Sequence, residues 1–160
     1  MMLLNFNETQ DLSNWNVVSD TVMGGVSNSN FSLNDSGFGV FTGKVSLENN
    51  GGFSMVRCHL ERKEVSKFNT FSLRIKGDGK TYQFRVKTDK EDTHSYVLRF
   101  NTSGTWETIE IPFDNLKPTF RGKDLDMNNY PGNYIAEVAF LIGNKKEETF
   151  CLEIESIELL

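Results

Sequence analysis

Thr70-Phe71-Ser72-Leu73-Arg74-Ile75-Lys76-Gly77-Asp78-Gly79-Lys80-Thr81-Tyr82-Gln83-Phe84-Arg85-Val86-Lys87 decides the fold class. Phe71, Leu73 and Ile75, then Tyr82, Phe84 and Val86, alternate with polar residues. Period two marks a strand with one buried face. The Gly77-Asp78-Gly79-Lys80 stretch between them is built of turn formers. The same alternation recurs outward along the chain at Tyr96/Leu98/Phe100, Ile109/Ile111/Phe113, Val138/Phe140/Ile142 and Phe150/Leu152/Ile154. Turn signals at Asp89-Lys90-Glu91-Asp92, Ser103-Gly104 and Gly143-Asn144-Lys145-Lys146 separate these segments. This spacing predicts an all-β antiparallel sandwich or jelly roll. In the last strand the apolar register slips by one residue, from Ile154 to Ile157 and Leu159, which predicts a β-bulge near Glu155. The stretch from Asp114 to Pro131 carries Pro118, Gly122 and Pro131 and reads as a covering loop with one helical turn at most.

Composition agrees. The chain has 160 residues, 38% of them hydrophobic, with thirteen Phe and two Ala. Bulky aromatic content favours pleated sheet over helix. Residues 1–160 read as a single domain, long enough to bury a sizeable core. A net charge of −5 argues against a partner bound by phosphate neutralisation, so no nucleic acid is expected. No apolar run approaches the ~20 residues of a membrane span, and the first residues show neither a basic leader nor an Arg-rich presequence, so a cytoplasmic chain is expected. Cys58 and Cys151 read as reduced, buried small hydrophobes rather than as a disulfide.

Three motifs are more specific than turn chemistry alone. They are Trp15-Asn16-Val17-Val18-Ser19-Asp20-Thr21-Val22-Met23-Gly24-Gly25-Val26-Ser27, the run Val45-Ser46-Leu47-Glu48-Asn49-Asn50-Gly51-Gly52-Phe53-Ser54-Met55-Val56-Arg57, and Ile111-Pro112-Phe113 leading to Phe120-Arg121-Gly122. Each Gly-Gly pair stands where a backbone turns with φ > 0 and re-enters a strand. In this order the motifs resemble the complex I intermediate-associated protein 30 family over roughly Phe6 to Ile157. The resemblance implies a galactose-binding-domain-like sandwich and, from the mitochondrial members, a chaperone role in respiratory-complex assembly, with a stand-alone bacterial-type chain the expected kind of member.

The polar faces of the predicted strands carry Arg74, Arg85 and Arg99, and Arg57 follows the second Gly-Gly beside Phe53, giving a basic face on an acidic protein. Two readings stay open: solvated side chains in weak ion pairs, or a groove for a carboxylate, phosphate or sugar, which Arg suits better than Lys. Asp20 and Arg121 either satisfy loop backbone and hold the Gly-Gly turns or line a contact edge with Met23, Gly24, Gly25, Asn49, Gly51 and Gly52. Trp15 and Trp106 are either core residues or stacking platforms for a sugar.

Catalytic sets are thin. His59 and His94 are the only histidines, without partners at a metal-ligand spacing, and no nucleophile elbow, Walker loop or dinucleotide fingerprint is present. No cofactor is expected, and no metal ligands can be nominated from the sequence. The expectation is a non-catalytic protein-binding module whose partner is a protein, including a membrane complex under assembly. The alternative is a carbohydrate- or small-anion-binding module.

Overall fold

The computed structural model describes residues 1–19, 27–48 and 52–160. Thirteen strands are described: β1 (Met2–Asn5), β2 (Trp15–Ser19), β3 (Asn28–Leu33), β4 (Gly39–Val45), β5 (Ser54–Glu64), β6 (Thr70–Lys76), β7 (Thr81–Lys87), β8 (Ser95–Asn101), β9 (Trp106–Pro112), β10 (Lys117–Phe120), β11 (Lys123–Asp124), β12 (Tyr134–Ile142) and β13 (Glu148–Leu159). They form two sheets, and the described pairings are antiparallel. One sheet runs β3-β4-β13-β6-β9, with β1 added beside the C-terminal half of β13. The other runs β11-β10-β8-β7-β12-β5-β2. The all-β sandwich expected from the sequence is therefore the observed architecture.

The alternating residues face inward as expected. Phe71, Leu73, Ile75, Tyr82 and Phe84 have no exposure, and Val86 is 1% exposed. Phe71 of one sheet meets Phe84 of the other edge-on, with ring centroids 5.2 Å apart, and Phe84 packs on Phe140 at 5.5 Å. Such aromatic pairs add about 0.5–1.5 kcal/mol beyond their burial. The first pair spans the thickness of the sandwich, and the second joins neighbouring strands of one sheet. Trp15 stacks on Phe31 at 4.5 Å and lies 5.8 Å from Phe6, bridging the β2 edge of one sheet to the β3 edge of the other.

The bulge falls where the slipped register places it. Ile154 pairs with Ile75 and Ser156 with Arg74, which leaves Glu155 as the extra residue. Two expectations need correction. Cys58 is buried, but Cys151 is exposed, because it lies between the inward-facing Phe150 and Leu152; both thiols are free. The stretch from Asp114 to Pro131 is not only a loop. A 3-10 turn at Phe113–Asn115 leads into β10, which pairs with β8 and forms a hairpin with β11. Leu116 and Tyr130 anchor the stretch in the core, with 0% and 1% exposure. Pro118 had argued against a strand, but its missing N–H falls past the last β11 pair, Thr119 with Asp124, where its carbonyl still accepts from the Leu125 amide at 3.1 Å.

A trough of cations on the outer sheet face

Register places side chains across the seven-stranded sheet in transverse rows, because directly paired residues point to the same face. On its outer face the central row reads Asn16 (β2), Arg57 (β5), Ala139 (β12), Arg85 (β7), Val97 (β8) and Lys117 (β10). The row on one side reads Val18, Met55, Leu141, Gln83 and Arg99. The row on the other side holds His59, Glu137 and Lys87. These rows floor a cleft of ≈ 440 Å³ that includes Phe53, Arg57, Arg85, Glu137, Phe120 and Arg121 in its lining. A second depression of ≈ 370 Å³ shares Gln83, Arg85 and Gly122 with it and adds Arg99, Lys117 and Asp124, so the two form one trough.

One wall is the β10–β11 hairpin. Phe120 pairs with Lys123, so Arg121 and Gly122 are a two-residue turn, and their φ values of 51° and 77° have the sign pattern of a type I′ turn. Asn-Gly is the usual choice there. Arg121 instead holds a strained backbone while its guanidinium lies 5.3 Å from the centroid of the Phe120 ring. At the other wall Gly52 has φ 146°, in the left-handed half of the map expected of the Gly-Gly pair.

The floor is electrostatically loaded. Glu137 is 6% exposed and lies 3.5 Å from His59 Nδ1. Burial pulls the Arg85 guanidinium below its ordinary pKa, and the Glu137 carboxylate partly restores it. Arg85 Nη1 donates to Gln83 Oε1 at 2.8 Å. Arg57 Nε is buried and has no hydrogen-bond partner among the described residues. Arg57, Arg85, Lys87 and Arg121 thus face one carboxylate, Glu137, inside the larger depression. That surplus suits an anion.

The trough gathers Phe53, Arg57, Arg85, Arg99, Arg121 and Gly52 from the residues singled out in the sequence. It does not gather the rest. Arg74 lies on the six-stranded sheet, paired with Ser156 and Thr108, and its Nη1 donates to Thr108 Oγ1 at 3.4 Å. The basic face read from three strands is therefore divided between two sheets that face opposite ways. Trp15 faces the core, in register with Cys58. Trp106 is half-buried at the start of edge strand β9 and meets Phe38 edge-on at 5.3 Å. Neither Trp lines the trough. Asp20, Met23, Gly24, Gly25, Asn49 and Gly51 lie outside the described residues.

Sequence reasoning missed Glu137, Lys117 and Phe120. Glu137 had a signal, since it is the only charge in the otherwise apolar stretch from Ile135 to Ile142. Phe120 stood beside Arg121 in the third motif, and Lys117 had no signal, because its stretch reads as loop. Among the described residues, no group of three or more His, Cys, Asp or Glu is placed to hold a metal ion, and no helix is long and apolar enough to cross a membrane.

The family model described as complex I intermediate-associated protein 30 matches residues 4–154. A Mus musculus protein named "Complex I intermediate-associated protein 30, mitochondrial" is 27% identical over 175 residues, an alignment covering 95% of this chain and 53% of that protein. The chain thus spans about half the length of this relative. Among solved structures, a family 11 carbohydrate-binding module from Clostridium thermocellum, in complex with a β-1,3-1,4-mixed-linked tetrasaccharide, superposes with TM-score 0.71 at 20% identity, covering 99% of this chain and 94% of the module. An exo-β-agarase superposes with TM-score 0.57 at 13% identity, covering 99% of this chain and 25% of the enzyme. At these identities the structural likeness speaks for the fold alone, a galactose-binding-like jelly roll.

Proposed function

The chain belongs to the complex I intermediate-associated protein 30 family, and from that premise we propose that it is a non-catalytic protein-binding module of respiratory-complex assembly. It holds its partner in the trough, with the β10–β11 hairpin and Gly52-Phe53 as the contact edge. One observation carries this reading: Arg57, Arg85 and Arg121 converge with Phe53 and Phe120 on a single open cleft. Interfaces draw their binding energy from such aromatic and Arg anchors. A base in contact with a bound substrate would be needed for catalysis. His59 is turned to Glu137 in the row beside the arginines. The carbohydrate alternative draws on the jelly-roll likeness, but the two Trp that would stack on sugar rings lie outside the trough.

Arg121→Asn separates binding from folding, because Asn is preferred at a turn position with φ > 0. The test is affinity capture of complex I assembly intermediates on purified wild-type chain beside the Arg57→Gln/Arg121→Asn variant. Enrichment of complex I subunits on the wild type, reduced about tenfold on the folded variant, is expected. Absence of any complex I subunit above an inert bait, or equal capture by both chains, refutes the reading.

A further inference from the structure

The central row of the trough has a period. Its cations sit on β5, β7 and β10 as Arg57, Arg85 and Lys117, and the positions between them on β12 and β8 are Ala139 and Val97. Neighbouring strands are about 4.8 Å apart, so successive cations are rooted about 9.6 Å apart along a line perpendicular to the strands. Ala139 is 1% exposed and too short to rise between the two arginines. The larger depression contains the first two cations and the smaller one contains the last two, so the line runs through both.

Few backbones repeat at that interval. Same-face residues of a β-strand recur every ~6.8 Å, so a strand seated on the first cation passes the second about 2.8 Å out of phase. An α-helix returns to one face every ~5.4 Å, so residues two turns apart, about 10.8 Å, drift from the cations by about 1.2 Å at each step. A polyproline-II segment has three residues per turn and rises about 3.1 Å per residue, so its same-face side chains recur every ~9.3 Å. It exposes its carbonyls to donors, and its apolar ridges suit an aromatic-lined groove such as the one Phe53 and Phe120 border. The partner chemistry is set by charge. The trough carries a cationic surplus on a protein of net charge −5, and Arg57 Nε is buried without a partner among the described residues.

Resting on the protein-binding reading above, we propose that the trough binds an acidic polyproline-II segment of a partner protein, with carboxylates at every third residue seated on Arg57, Arg85 and Lys117. Such a carboxylate accepts hydrogen bonds from a guanidinium fork, and the residues between face Ala139, Val97 and the aromatic wall.

Fluorescence anisotropy of two labelled peptides of identical composition tests this. One carries Glu at every third position between Pro and Ala; the other carries the same Glu residues in one block. The periodic peptide is expected to bind about tenfold tighter, with affinity falling as salt rises. Lys117→Gln, an exposed position, should reduce the preference to about threefold, and Arg57→Gln/Arg85→Gln should abolish it. Equal binding of the two peptides, or a preference untouched by Lys117→Gln, overturns the spacing argument. Tighter binding of an anionic polysaccharide such as hyaluronate than of either peptide overturns the choice of partner. If complex I subunits are still captured while the periodic peptide shows no preference, this inference fails and the assembly reading stands. If capture fails too, both fall.

Discussion

Asp78→Ala should cost about 3 kcal/mol of stability, because the Asp78 carboxylate joins the turn between the sheets to a strand distant in sequence. Its Oδ1 accepts from the Tyr82 hydroxyl at 2.9 Å and from the Lys80 amide at 3.3 Å. Its Oδ2 accepts from the Cys151 amide at 2.8 Å and lies 3.4 Å from Lys80 Nζ. Tyr82 is fully buried, and burial followed by the Asp78 charge drives its phenol pKa far up, so the hydroxyl keeps its proton and remains a donor. Removing the acceptor strands that buried hydroxyl, at about 1–3 kcal/mol. The Cys151 amide belongs to an exposed residue and finds water, so its loss is nearer 1 kcal/mol. The Lys80 pair, with both side chains partly exposed, adds a few tenths at most. For a domain of this size the total lowers the melting temperature by about 6–12 °C. Thermal unfolding followed by circular dichroism measures it. A double-mutant cycle with Tyr82→Phe should give a coupling of about 1 kcal/mol. A loss under about 1 kcal/mol for Asp78→Ala, or a coupling indistinguishable from zero, would refute the assignment of Asp78 as the tie.

Two further outcomes follow from packing and burial. In Gly77→Ala the new Cβ would lie 2.2 Å from Thr102 Cβ, and Thr102 Oγ1 accepts from the Gly79 amide while donating to the Lys80 carbonyl. A loss of about 2–3 kcal/mol in urea unfolding is expected, and an unchanged midpoint would mean that the turn gives way freely. For the thiols, iodoacetamide at mildly alkaline pH should label Cys151 and spare Cys58 in the folded chain, since burial, followed by the Glu137 charge, pushes the Cys58 thiol from 9.0 up to about 12. The unfolded thiol gives up its proton in that window and the folded one does not. Its contribution to stability is therefore intact below pH 9 and lost as pH rises toward 12, a loss that Cys58→Ala should remove from the urea midpoint.

Six of the thirteen described strands, β6, β7, β8, β9, β12 and β13, were legible because each carries its own period. Phe71, Leu73 and Ile75 declare their face without reference to any other segment, and the slip between Ile154 and Ile157 locates the bulge at Glu155. The site was half legible. Arg57, Arg85 and Arg99 could be named from polar positions and Arg121 from its motif, but the partition that puts Arg74 on the other sheet depends on strand order, which local periodicity does not encode. The central row joins residues 57, 139, 85, 97 and 117, an order no reading along the chain suggests. Lys117 was hidden for a further reason. Pro118 and Gly122 break the alternation of β10 and β11, whose pairing is held by the hairpin turn and by Leu116 and Tyr130 in the core.

The arginines of the trough are poor candidates for a purely structural role. A guanidinium removed from water is destabilising unless its donors are paired, and an apolar side chain of similar size in the same place is often neutral or better for the fold. Arg85 has Gln83 and the nearby Glu137 to compensate it, while Arg57 buries an unpaired Nε among the described residues. A position selected only for packing between Met55 and His59 on the outer face would more readily hold a leucine or methionine. Arg121 tells the same story through its backbone: a residue type that Asn would outperform at φ 51° stands at the lip of the cleft, with its charge over Phe120. Departures from the locally stable choice cluster where function draws on stability. Here two of them, one electrostatic and one conformational, border the same ≈ 440 Å³ cleft from opposite sides, on strand β5 and on the β10–β11 turn. Core packing accounts for neither, whereas an anionic partner seated between them would satisfy the first and use the second.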